Sequence, residues 1–294
     1  MATLDQPQEE KEEKEEKEGN EMSFLGHLEE LRWHVIRAGI AILVFSISAF
    51  LAKDFVWNTL ILGPSKTDFL TFRLMCLAGE KLNSEALCIT ELPFIIQSRK
   101  MTGQFSMHIT SSFVLGLIFA FPYVFWEIWR FISPGLYSKE RKHARGAVFF
   151  VSLLFFFGVL FGYYVIAPLS INFLAHYQVD PSVLNEFDIT SYVSTITMLV
   201  LASAFVFQLP VIVYFLSKIG FITPKFMRTY RKHAIVVILV LGALLTPPDP
   251  ISQVLIAVPL FALYEISIFV SGWVLRKEKA SFDKAMGEDS NKSK

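Results

Sequence analysis

The chain has 294 residues, of which 53% are hydrophobic and 18% charged, and its 27 Lys and Arg equal its 27 Asp and Glu. Soluble domains carry roughly 25% charged residues, so this composition argues against a water-soluble globular protein and makes lipid part of the solvent. The zero net charge conceals a strong segregation along the chain, and no nucleic-acid partner is expected.

Residues 1–21 are almost entirely polar, and Glu9–Glu18 consists of Glu and Lys alone. Such a block buries no core and reads as a solvated, disordered tail. It has neither the basic start nor the short apolar stretch of a secretory signal. Ser23–Arg37 reads as an amphipathic helix that Ser23 can cap. Phe24, Leu28, Leu31 and Val35 form its apolar stripe, with His27, Glu30, His34 and Arg37 as a polar stripe beside it. The plain reading is an interfacial anchor in which Glu30 pairs with His34 or Arg37.

A helix needs about 20 apolar residues to cross a hydrocarbon core of roughly 30 Å. Six segments qualify as candidates, near Val35–Ala52, Phe105–Phe125, Gly146–Phe173, Ser191–Ser217, Ala234–Leu245 and Val254–Leu275. Between the first two lies a long loop, 53–104, with both cysteines, Cys76 and Cys88. In an oxidising compartment these could pair as a disulfide; two free thiols are the alternative. Pro122, Pro168, Pro210 and Pro259 each fall within a span. Membrane helices tolerate proline where neighbours satisfy the freed backbone, and such kinks suit a curved, cupped bundle. The fifth segment is short, and Thr246-Pro247-Pro248-Asp249-Pro250 ends it, because proline cannot continue a helix. The last two segments therefore form a hairpin shorter than the bilayer.

Basic residues set the expected orientation. The loop 126–145 holds Arg130, Lys139, Arg141, Lys142 and Arg145, and the loop 218–233 holds Lys218, Lys225, Arg228, Arg231 and Lys232. The stretches 174–190 and 246–253 hold no Lys or Arg. The positive-inside rule puts the basic loops and both termini in the cytoplasm. The expected fold is thus an all-α integral membrane protein of six spans, N-in and C-in. Its parts are the tail 1–21, a membrane domain 22–275 and a cytoplasmic tail 276–294.

Two polar residues fall where lipid should be. Glu265 is the one acidic residue expected deep within a span, equidistant from Ser252 and Arg276 and so near the midplane. It is either a functional site or a protonated side chain bonding a neighbouring helix. Gln208 also lies near the midplane, beside Pro210. It either satisfies backbone groups at that kink or shares a polar, partner-binding site with Glu265. In the cytoplasmic loop, Pro134-Gly135 signals a turn, Ser138 can cap the next helix, and Glu140 gains from that helix dipole. No P-loop, HExxH or GxSxG string occurs. The six histidines make no metal-ligand pattern, so neither catalysis, metal nor cofactor is expected. A proton-coupled secondary transporter using Glu265 is the competing class.

Three strings in order carry a family resemblance: His27-Leu28-Glu29-Glu30-Leu31-Arg32; Phe131-Ile132-Ser133-Pro134-Gly135-Leu136-Tyr137 followed by Glu140-Arg141; and Thr246-Pro247-Pro248-Asp249 followed by Ser252-Gln253. Together they resemble the TatC family, the receptor core of the twin-arginine protein translocase. That resemblance implies a bacterial inner-membrane protein that binds twin-arginine signal peptides of folded cargo. It also implies work with TatA/TatB-type single-span subunits, assembly as a homo-oligomer within the complex, and use of the proton-motive force. It places signal-peptide recognition on Glu30 and Glu140, with Arg32, Phe131, Pro134, Leu136, Tyr137 and Arg141 in the same motifs. It assigns Pro64, Pro248 and Asp249 to the outer face, and Gln208 and Glu265 to intramembrane positions. Where some members have Glu, this chain has Gln208, which bonds but does not titrate.

Overall fold

The computed structural model describes residues 24–83, 88–132, 144–245 and 250–292. It is mostly helical. Helix α1 (Phe24–Leu51) runs into a short α2 (Lys53–Phe55), a π-helical turn at Val56–Ile61 and a 3-10 turn at Gly63–Ser65. Then come α3 (Leu70–Leu82), strand β1 (Ile95–Gln97) and α4 (Gly103–Ile132). Helix α5 (Ala144–Phe161) passes through a π-helical turn, Gly162–Ile166, into α6 (Ala167–His176). Strand β2 (Glu186–Asp188) precedes α7 (Ile189–Val206), α8 (Leu209–Lys218), α9 (Pro224–Thr229), α10 (Arg231–Leu245) and α11 (Pro250–Lys292).

Among the described residues, five stretches are long and apolar enough to cross a membrane: Leu28–Leu51, Gly103–Phe131, Val148–His176, Ile189–Lys218 and Ala257–Arg276. They cover five of the six expected segments. The remaining one is α10, a helix of 15 residues. Lipid explains the distribution of side chains, since a helix surrounded by hydrocarbon can leave large apolar groups facing outward. Leu43, Phe113, Phe157 and Ile212 are all exposed, while Phe155, Val193 and Leu199 fill the centre.

Small residues set how closely the helices cross. A Cβ on Gly116 would stand 2.8 Å from the Cα of Ser46, so α1 and α4 touch there backbone to backbone. Gly158 and Gly162, four residues apart, do the same against Ala204 and Val200 of α7, at 2.7 and 2.8 Å from their Cα atoms. With no hydrophobic drive between helices in lipid, such small-residue seams supply the packing. Two of the four prolines coincide with an irregularity in their helix and two do not. Pro122 and Pro259 are accommodated inside α4 and α11, whereas Pro168 follows a π-helical turn and Pro210 follows a break at Phe207–Gln208.

One feature departs from an all-α fold. β1 and β2 pair in parallel, Ile95 opposite Glu186 through Gln97 opposite Asp188. Arg99 fastens the pair, donating from its backbone to Asp188 at 3.2 Å and from its guanidinium to Glu186 at 3.2 Å. Strands of three residues are too short to show alternation in sequence; they form because two loops meet above the bundle.

Candidate functional site

The N-terminal half of α1 packs antiparallel on the C-terminal half of α4. His34 of the polar stripe of α1 is buried and Glu30 half-buried, while Arg37, Leu28, Leu31 and Val35 are exposed. The arrangement inverts a soluble amphipathic helix, because lipid takes the apolar face and protein the polar one.

The inward face meets Glu127 of α4, which is 1% exposed. His34, 6% exposed, sits with Nδ1 at 2.5 Å from Glu127 Oε2 and Nε2 at 4.0 Å from Glu30 Oε1. Arg37 Nη1 lies 3.9 Å from the same Glu127 oxygen. One imidazole thus bonds Glu127 and stands near Glu30, with a guanidinium beside the inner carboxylate. A neutral ring donates to Glu127 as the Nδ1–H tautomer. Glu30 Oε2 is buried with no hydrogen-bond partner among the described residues. Phe131 closes one side, edge-on to His34 at 6.0 Å.

Sequence reasoning missed Glu127. It ended the second span at Phe125 and took Glu265 as the one buried acid, but α4 continues to Ile132 and carries Glu127 with it. The available signal was the His34 and Arg37 stripe, which needs an acid on whatever helix faces it. Of the other expected site residues here, Arg32 is exposed. Pro134, Leu136, Tyr137, Glu140 and Arg141 lie outside the described residues, as do Ser23, Pro248 and Asp249. The helices on either side of the 133–143 stretch end at Ile132 and begin at Ala144.

Gln208 and Glu265 take separate partners. Gln208 is buried at the break between α7 and α8 and donates to the Val151 carbonyl of α5 at 3.4 Å. Its Oε1, Ser152 Oγ and Ser203 Oγ are buried without hydrogen-bond partners among the described residues. Glu265 instead binds Arg231 of α10 at 2.6 Å. Sequence counting placed Glu265 midway between Ser252 and Arg276; within α11, which runs from Pro250 to Lys292, it lies near the middle of the apolar stretch Ala257–Arg276.

On the opposite face, Pro64 is fully buried. Tyr163 holds that turn through the Leu60 carbonyl at 2.9 Å, and Tyr192 through the Ile61 carbonyl at 3.0 Å. Cys76 and Cys88 are joined in a disulfide, with Cα atoms 4.0 Å apart. Among the described residues no His, Cys, Asp and Glu cluster could hold a metal ion.

Residues 26–259 match the family described as Sec-independent protein translocase protein (TatC). The chain belongs to the TatC family. Its TatC relative from Blattabacterium sp. subsp. Periplaneta americana (strain BPLAN) is 37% identical over 261 residues, 88% of this chain and 98% of that protein. TatCy of Bacillus subtilis (strain 168) is 32% identical over 262 residues, 89% of this chain and 93% of that protein. A crystal structure titled Twin Arginine Translocase Receptor- TatC superposes with a TM-score of 0.62 at 31% identity, covering 85% of this chain and 99% of the other. TatC membership and the spanning helices make the chain a multi-pass membrane protein and a component of a protein translocase.

Proposed function

We propose that this chain is the signal-receiving core of a twin-arginine translocase, with the carboxylates at the N-terminal end of α1 and the C-terminal end of α4 as its recognition site. The supporting observation is the His34-centred cluster, in which one Glu30 oxygen has no hydrogen-bond partner among the described residues. Two adjacent guanidinium groups need two carboxylates in bidentate reach. Glu30, and Glu140 in the following loop, supply them, with Glu127 and His34 holding Glu30 in place.

In this reading α10 completes six spans in a cupped, inner-membrane bundle, and both termini face the cytoplasm where an export signal arrives. The buried, unpartnered oxygens around Gln208 would take a polar group from a TatA/TatB-type helix. Further copies of the chain would join it in the complex, and the proton-motive force would drive transport. Glu265, which a proton-coupled transporter would need as a free relay, is engaged by Arg231.

The test is binding of a twin-arginine signal peptide to the protein in nanodiscs, against the same peptide with both arginines changed to lysine. Lysine keeps the charge and loses the fork. Arginine should be preferred roughly tenfold or more, the equivalent of one charge-assisted hydrogen bond. Glu30→Gln and Glu140→Gln should each abolish the preference while leaving the melting temperature near that of the parent. Equal binding of both peptides sinks the reading.

A further inference from the structure

We propose that α3, in the loop between the first two spans, is an interfacial helix seated in the lipid of the outer leaflet, with acyl chains against its leucines and phospholipid headgroups against its cations. "Outer" follows the orientation proposed above; the contact with lipid does not depend on it.

The first observation is depth. Pro168 removes a helical donor and displaces the carbonyl four residues earlier, which belongs to Tyr164. The Thr71 hydroxyl of α3 donates to that carbonyl, and the Phe69 ring, at the α3 N-terminus, stacks on the Tyr164 ring at 5.5 Å. Tyr164 belongs to the Val148–His176 span. It lies about 16 residues after Val148 and about 12 before His176, well inside the span by length. The first turn of α3 is therefore tied to a membrane-spanning part of the chain, not held out in water.

The second is its outward face. Phe72 and Gly79 are buried against the protein, while Leu70, Leu74 and Leu77 on the opposite side are 50%, 56% and 55% exposed. The spacing i, i+4, i+7 makes a single stripe. It meets a surface already facing lipid, since Leu160 and Phe157, both exposed, lie one and two turns before Tyr164 on the same face of their helix. The apolar surface of the span thus continues onto α3.

The third is charge. Arg73 and Lys81 are exposed on this side of α3, with Glu80 at its flank. Neither cation has an ion pair among the described residues. Long basic side chains beside an apolar stripe reach up to phosphates while their stems stay in the boundary. The disulfide from Cys76 to Cys88 pins the helix on a flank of the stripe, leaving the leucines free. A helix so placed holds the Gly63–Pro64 turn from above.

The experiment places a nitroxide at Leu74→Cys or Leu77→Cys, with the native disulfide oxidised, in the full-length protein in liposomes of phosphatidylethanolamine and phosphatidylglycerol. A label at Val179→Cys, 87% exposed on the 177–185 loop, is the aqueous control. Collision rates with oxygen, which concentrates in lipid, should exceed those with a water-soluble nickel chelate several-fold at 74 and 77, and the order should reverse at 179. Nickel access at 74 and 77 equal to that at 179 overturns the proposal. A photoreactive benzophenone at position 74 gives an independent readout without a new thiol. Lipid adducts by mass spectrometry support the proposal, and adducts to a second copy or to another subunit in their place overturn it.

Discussion

Glu127 is the residue on which the recognition end depends most. It is buried, it accepts from His34 at 2.5 Å, and Arg37 stands 3.9 Å from the same oxygen. Breaking a buried charged pair by removing one partner costs about 3–5 kcal/mol, because the survivor is left unpaired. Glu127→Ala should therefore destabilise the protein severely. Glu127→Gln keeps an acceptor for His34 and should cost about 1–3 kcal/mol. The measurement is reversible unfolding in mixed micelles of Glu127→Gln, His34→Ala and the double variant. Residues in contact show coupling above about 0.5 kcal/mol; additivity within that margin would mean that the pair does not hold the two helices together.

The elements were largely legible in sequence, for a physical reason: lipid demands long apolar runs, and hydropathy finds them without any partner being known. The start of α1 was legible as amphipathic, but not which stripe faced protein, because that depends on whether lipid or water surrounds it. The β1–β2 pair was illegible, since it arises from two loops meeting across distant sequence. Its end is nevertheless sensitive to a measurable group. Asp188 caps α7, accepting from the Thr190 amide at 2.7 Å and from the Thr190 hydroxyl, and it also accepts from the Arg99 amide. The Thr190 hydroxyl bond above all, then the Thr190 amide, holds its carboxyl below the usual 3.8. A carboxylate with a lowered folded value stabilises fully above the unfolded value and loses that contribution as pH falls through the folded one. Exchange of the Thr190 amide, corrected for its intrinsic rate, should thus stay slow through neutral and mildly acidic pH and accelerate only below the ordinary aspartate range. Asp188→Ala should exchange fast throughout; a parent protein already losing protection near neutral pH would rule out the cap as the cause.

For the molecule as a whole, the unequal span lengths matter most. Helix α10 has 15 residues, about 22 Å at 1.5 Å per residue, against a hydrocarbon core of roughly 30 Å. Its first residue, Arg231, is bound to Glu265, which sits about as far from the start of α11 as Arg231 sits from the end of α10. The pair closes the start of α10, whereas α11, expected to be short, runs apolar past Glu265 to Arg276; a pair with its guanidinium 45% exposed draws water and headgroups towards itself. A short hydrophobic segment is accommodated by local thinning at a cost of fractions of a kcal/mol per Å. The bilayer beside α10 and α11 should be several Å thinner than beside α1, visible as a dip between headgroup layers in cryo-EM maps of the protein in nanodiscs. Replacing both charges with Arg231→Leu and Glu265→Leu should make that dip shallower, because the apolar length of α10 then extends past the former pair. Uniform thickness around the parent protein would mean that the hairpin meets water through its own loops, with no deformation of the lipid.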